Sequence, residues 1–276
     1  MMRIDAHQHF WCLAERGDAW PPPALAAIHR DFEPDELARL LEQHGVGKTV
    51  LVQSMPSEAD TRYLLDIARN HAFVAGVVGW TDLEHKDAPA RIAALAEHAA
   101  LKGLRPMLQD IKDERWILDP CLEPAVQAML HHGLSFDALV LPRHLPALLT
   151  FAERHPRLPI VIDHGAKPLI AQGEMTPWRD DIERLAALPQ VHCKLSGLVT
   201  EAGADWNVER LRPYVDHILH VFGPRRVIWG SDWPVLNLAA NYGEWIAASE
   251  RLLAGLDETS RRLVFALNAQ RFYRLD

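Results

Sequence analysis

RIDAHQHFW (residues 3–11) is a short apolar run that carries an acid and two histidines one residue apart. It is the first of eight runs of this kind. The others are KTVLVQS (48–54), FVAGVVGW (73–80), LKGLRPML (101–108), LSFDALVL (134–141), PIVIDHG (159–165), VHCKLSG (191–197) and RVIWGSDW (226–233). Each is followed by a longer stretch in which apolar residues recur every three to four positions, the signature of an amphipathic helix. These stretches are 34–45, 59–70, 88–100, 120–133, 142–155, 177–188 and 208–223, with a tail over 241–256 and 257–273. Several end in Gly or begin after Pro or Asp. Strands alternating with helices imply parallel pairing in right-handed units. A parallel strand covered on both faces reads as a continuous apolar run, as these do. Eight units in 276 residues predict a single-domain (β/α)8 barrel. No glycine-rich fingerprint follows the first strand, which argues against a dinucleotide-binding sheet. Residues 12–33 and 167–178 read as long irregular loops, and long loops after barrel strands build the active-site mouth.

Composition narrows the function classes. The chain is 49% hydrophobic and 24% charged, with a net charge of −8 and no lysine or arginine cluster, so a nucleic-acid partner is not expected. Three scattered cysteines form neither a disulfide framework nor a metal-binding CxxC pair. No basic-then-apolar leader pattern and no apolar stretch of ~20 residues is visible, so a cytoplasmic setting away from membranes is expected.

Polar residues cluster near the ends of the strand runs, where a barrel holds its chemistry. The first run has His7 and His9, the second Gln53, the third ends in Trp80, the fourth carries Arg105, the sixth ends in Asp163-His164, the seventh carries Lys194 and the eighth ends in Ser231-Asp232. In a strand, period two puts His7 and His9 on one face about 6.5 Å apart, close enough for both imidazoles to reach one ion or one substrate oxygen. His164 and Asp232 supply partners from two other strands. Asp5 falls in line with the two histidines but deeper in the barrel, where it reads either as structural or as an acid that orients an imidazole by accepting its other N–H. Arg105 and Lys194 read either as site cations or as counterions for the barrel's own carboxylates. The histidines on helical stretches, His98, His131, His132, His155 and His217, are given no site role.

DAHQHFW (5–11), GVVGWTDL (76–83), KGLRPMLQD (102–110), VIDHGAKP (161–168), CKLSGLVTEA (193–202) and WGSDWPV (229–235) together resemble the amidohydrolase superfamily, in the branch that holds sugar-acid lactonases. The resemblance implies a barrel with its site at the C-terminal mouth and hydrolysis of a small aldonic-acid lactone. It assigns His7, His9, His164 and Asp232 to the site, with Asp232 handling the proton of the attacking water. Two-metal members use a ligand at the end of the fourth strand and a histidine on the fifth. Here Arg105 stands at the former place and the fifth run has no histidine, so two metals are not expected. Two chemistries stay open: a single zinc-like ion held by His7, His9, His164 and Asp232, or metal-free polarisation of the carbonyl by the histidines and Arg105. In either, Asp232, His164 and Arg105 are the expected catalytic residues. Gln53, Gln109, Lys194 and Trp233 are expected to bind sugar hydroxyls, with Trp80 as an apolar wall. A zinc-dependent decarboxylase of an unsaturated or aromatic acid and a non-catalytic binding barrel are the competing readings.

Overall fold

The computed structural model describes residues 2–16 and 20–275. Eight strands, β1 (Arg3–Gln8), β2 (Val46–Val52), β3 (Val74–Gly79), β4 (Leu101–Leu104), β5 (Ser135–Ala138), β6 (Ile160–Ile162), β7 (Val191–Leu195) and β8 (Val227–Trp229), pair in parallel in chain order. Between them run helices α1 (Pro34–His44), α2 (Glu58–Asn70), α3 (Ala88–Ala96), α4 (Glu123–His131), α5 (Leu145–Arg154) and α6 (Trp178–Ala186). A short α7 (Leu198–Glu201) and the longer α8 (Val208–Phe222) separate β7 from β8. After β8 come α9 (Tyr242–Leu252), α10 (Glu258–Arg262), one π turn (Leu263–Leu267) and α11 (Asn268–Phe272). Polar caps start several of the helices: Ser57 accepts from Ala59 and Asp60 at α2, and Asn241 with Glu244 forms a capping box at α9. No described helix is long and apolar enough to cross a membrane.

Alternation along the strands sorts two cores. Ile4, Ala6, Val50, Val52, Val78, Val161 and Ile228 form one cluster with Ala266, Ala269, Phe272, Tyr273 and Leu275. Side chains from β1, β2, β3, β6 and β8 can meet only around the barrel axis, so this is the interior, and the C-terminal helices plug its lower end. The intervening residues, among them Leu51, Val77, Ile160, Ile162, Val227 and Trp229, pack outward against the helices in the larger cluster.

This phase decides between the two readings of Asp5 in favour of the structural one. A register irregularity between Asp5 and Gln8 breaks the alternation, so Asp5 does not share a face with His7. Instead of orienting an imidazole, its carboxylate accepts from Ser231 N–H (2.8 Å), Ser231 Oγ (2.6 Å), the Tyr242 hydroxyl (2.9 Å) and the His7 backbone N–H (3.2 Å). It therefore locks the seam between the first and last strands, alongside backbone bonds from Asp232 N–H to His7 O and from His9 N–H to Trp233 O, both 2.7 Å. Complete burial outweighs these bonds and pushes the Asp5 carboxyl up to about 6. A raised carboxyl pKa means the folded state holds a proton that the unfolded chain has released. The resulting stabilisation is full below about pH 4 and lost as pH rises through about 6. Relative to Asp5→Asn, the unfolding free energy of the native protein should therefore fall by about 3 kcal/mol between pH 4 and pH 7. Paired denaturant titrations at several pH values measure this, and a pH-independent difference would refute it.

The strands end earlier than the apolar runs do. β6 stops at Ile162 and β8 at Trp229, and the chain then turns into the left-handed region at His164 (φ 54°) and Asp232 (φ 62°). Such positions cost on the order of 1–3 kcal/mol for non-glycine residues and persist where the surroundings impose them. Both are residues of the candidate site.

Candidate active site

The interior becomes polar towards the C-terminal end. Asp137 and Lys194 occupy interior phases of β5 and β7, Asp163 continues the phase of Val161, and Arg105 follows β4. Lys194 Nζ lies 2.8 Å from Asp137 Oδ2, 3.0 Å from Asp163 Oδ1 and 3.2 Å from His7 Nδ1. Arg105 approaches Asp163 Oδ2 at 3.2 Å and His7 Nε2 at 3.4 Å, and the Tyr273 hydroxyl donates to Asp137 from below. Burial alone would raise the Asp163 carboxyl, but Lys194, His7 and Arg105 together hold it well below the usual carboxylate range. Lys194 is fully enclosed in this network beneath His7. It cannot reach a sugar hydroxyl, which corrects the binding role expected of it.

Above this layer stand the three imidazoles. Asp232 Oδ1 is 3.2 Å from His9 Nε2, 3.6 Å from His7 Nε2 and 3.8 Å from His164 Nε2. His9 Nδ1 lies 2.7 Å from the Val52 carbonyl, which fixes its proton there and leaves a lone pair on Nε2. His164 Nδ1 lies 2.9 Å from Ser196 Oγ. Burial pushes all three imidazoles down, and His7 further through the neighbouring Lys194 cation; His164 falls to about 4. Burial opposes ionisation of Asp232 as well, but the surrounding His164, His9 and His7 keep its carboxyl well below the usual range.

A neutral imidazole lone pair facing a carboxylate oxygen at 3.2 Å leaves two acceptors in want of a cation or a shared proton. A tetrahedral ion with zinc–ligand bonds of ~2.0–2.1 Å holds its ligands about 3.3 Å apart. The ligand atoms of His7, His9 and Asp232 lie within 4.8 Å of one another, so this trio fits one divalent ion, with His164 beside it. A second group, His7, Asp163 and His164, is equally compact, but the Lys194 ammonium already fills the space between Asp163 and His7. The donor set therefore suits a single ion. The two tautomers of His7 match the two chemistries. With its proton on Nδ1, 3.5 Å from Asp163, Nε2 keeps a lone pair that can ligate an ion or accept from Arg105; accepting from Lys194 at Nδ1 instead places a donor N–H at Nε2.

These groups floor a cavity of about 390 Å³. His9, Arg105, His164 and Asp232 line its base; Gln109, Lys167 and Asp110 line one side; Trp20, Met55, Pro56, Met107, Leu139 and Val235 supply apolar walls. Gln109 is on the cavity, as expected, and its Oε1 accepts from Lys167 Nζ at 2.8 Å. Lys167, itself left-handed at φ 50°, was missed by sequence reasoning, although it lies in the DHGAKP stretch. Two further binding assignments are corrected. Trp233 is 1% exposed and packs edge-on against Phe10 and Phe32. Gln53 lies outside the cavity lining; it donates to the Arg105 carbonyl at 2.6 Å and its own carbonyl accepts from the Arg105 guanidinium, so it positions Arg105. Trp80 walls an adjoining trough. Of loop 12–33, residues 17–19 lie outside the described residues, and Trp20 contributes to the cavity wall.

Gly197 explains the local sequence CKLSG. Its φ is +62°, and a Cβ built there would stand 2.4 Å from His164 Nδ1. Gly197→Ala should displace the His164 ring and, since a misplacement of about 1 Å can cost ~10²-fold, lower kcat/KM about a hundredfold. Steady-state kinetics with a circular-dichroism check of folding measures this, and unchanged turnover would refute it.

A parallel eight-stranded barrel whose C-terminal mouth gathers imidazoles around one carboxylate has the layout of a (β/α)8 enzyme site. The amidohydrolase family model matches residues 4–275, and the chain belongs to that family. An L-fucono-1,5-lactonase of Burkholderia ambifaria is 56% identical over 278 residues, covering 99% of this chain and 96% of that protein. An L-fucono-1,5-lactonase of Burkholderia multivorans is 35% identical, again over 99% of this chain and 96% of that protein. The crystal structure of a B. multivorans amidohydrolase with bound zinc superposes with a TM-score of 0.95 at 35% identity, covering 100% of both chains.

Proposed function

We propose that this protein is a lactonase that opens a sugar-acid lactone, with L-fucono-1,5-lactone as its substrate. The observation that carries the reading is the 56% identity to an L-fucono-1,5-lactonase over nearly the whole of both chains. The site supplies the parts that the reaction needs.

Asp232, ionised and at the cavity floor, is positioned to take a proton from the attacking water as that water adds to the lactone carbonyl. The carbonyl oxygen gains negative charge, and Arg105 and His164 beside it offer donors to that oxyanion. When the ring C–O bond breaks, Asp232 returns the proton to the departing ring oxygen, giving the open hydroxy acid. A divalent ion held by His7, His9 and Asp232 would add Lewis-acid polarisation of the carbonyl. Lys167 and Gln109 are placed to bind ring hydroxyls, and the apolar walls from Met55, Met107, Leu139 and Val235 suit C–H faces and keep bulk water away.

Hydrolysis releases acid at neutral pH, so an indicator assay against a panel of aldono-1,4- and 1,5-lactones tests the reading. Turnover of L-fucono-1,5-lactone at least tenfold above that of other configurations is expected. Running the panel with chelator on metal-analysed protein separates the two carbonyl-polarising arrangements. Release of carbon dioxide from an aromatic acid, with no lactone opened, would overturn the reading.

A further inference from the structure

The catalytic cavity has a neighbour across Met107. Pro56, Met107 and Asp110 form a wall shared with a second hollow of about 240 Å³. Its other sides come from the loops after β3 and β4, with half-buried Trp80 and Trp116 among them, together with Pro106, Ile111, Asp82 and Glu84. None of the residues lining it is a lysine, arginine or histidine.

Two observations point to a ligand. First, Trp11, Trp178, Trp206, Trp229 and Trp245 each donate the indole N–H to a protein acceptor. The indole N–H groups of Trp20, Trp80, Trp116 and Trp233 have no partner among the described residues; Trp20 lines the catalytic cavity, Trp233 is in the aromatic core, and Trp80 and Trp116 leave two donors on the walls of the trough. Second, the trough adjoins the catalytic cavity of about 390 Å³ and shares Pro56, Met107 and Asp110 with it.

We infer that this trough is a subsite for a second pyranose ring, O-linked to the lactone that sits over Asp232. The inference rests on the lactonase reading for the catalytic half of the substrate. A pyranose presents an apolar C–H face and a rim of hydroxyls. The former matches indole, proline and isoleucine surfaces, and the latter matches the acceptor oxygens of Asp82, Glu84 and Asp110 and the free indole donors. The three carboxylates, with no cation among the lining residues, reject a second acidic group. The substrate class is therefore a neutral glycoside of an aldonolactone, and Trp116 is a specificity-determining residue that leaves the monosaccharide reaction alone.

The test has two arms. In the first, kcat/KM is measured for L-fucono-1,5-lactone and for derivatives carrying a β-pyranosyl group on each ring hydroxyl in turn. One regioisomer should be hydrolysed within tenfold of the parent or better, and Trp116→Leu should lower that value at least tenfold while changing the parent's less than twofold. If every regioisomer is more than a hundredfold poorer than the parent, or if Trp116→Leu affects both substrates equally, the subsite is refuted. Failure to hydrolyse the parent refutes the lactonase reading instead. The second arm then still decides the subsite. Saturation-transfer NMR with methyl β-D-glucopyranoside and methyl β-D-galactopyranoside should show ring-proton signals that fall at least threefold in Trp116→Leu. Absence of transfer from the native protein, or transfer only to an organic ammonium of similar size, overturns it.

Discussion

Asp232→Asn should lower kcat for lactone hydrolysis about a thousandfold, the loss of a positioned base being worth ~10²–10⁴. Asparagine has the same shape and is among the residues that best tolerate the left-handed backbone found here, φ 62°, so the fold should stand. The amide cannot take a proton from water, and it replaces the anion that faces His7, His9 and His164 at 3.2–3.8 Å. A divalent ion would lose its only carboxylate ligand of the compact trio, so zinc content should fall with activity. Steady-state kinetics, a thermal melt and metal analysis on the same preparation check all three. Retained turnover would remove Asp232 from the base role.

Lys194→Met should destabilise the protein by about 3–5 kcal/mol, the cost of breaking a buried ion pair from one side. Lys194 is the cation between two fully buried carboxylates, Asp137 and Asp163, and at 0% exposure it is shut off from bulk solvent. Its loss leaves Asp137 with the Tyr273 hydroxyl and Ser135 Oγ, and Asp163 with Arg105 and His7. Adding Asp137→Asn to Lys194→Met removes one of the stranded charges and should recover part of the loss. Urea unfolding of the two variants measures both effects; equal stability of native and Lys194→Met would show that the network contributes nothing net.

The barrel was legible because each strand run is apolar on both faces and each helix has its own apolar period. Seven of the eight runs contain a strand, from Arg3–Gln8 to Val227–Trp229, and the second, 48–54, overlaps one that starts earlier, at Val46. Several of the runs reach past the strands because the site residues that follow, as in DHG after Ile162 and GSDW after Trp229, stay buried although the chain has left the sheet. Asp232 and the three histidines around it were legible because histidine and aspartate are conspicuous in such runs. What sequence could not show is depth. Lys194 and Arg105 are both cations at strand ends, yet one is sealed under His7 and the other reaches the cavity. Asp137 and Asp163 were passed over as partners, although counting alternate positions from Val161 puts Asp163 inward. Trp233 neighbours Asp232 in the chain but turns into the aromatic core, a choice made by Phe10 and Phe32 from distant sequence.

The Tyr273 hydroxyl that reaches Asp137 from beneath makes the last few residues of the chain a stopper for the charges inside the barrel. Phe272, Tyr273 and Leu275 pack into the interior below Asp137, Asp163 and Lys194 and close that end to solvent. A chain cut before Phe272 should therefore admit water to three groups that are otherwise committed to one another, and lose stability although every strand of the barrel is still encoded.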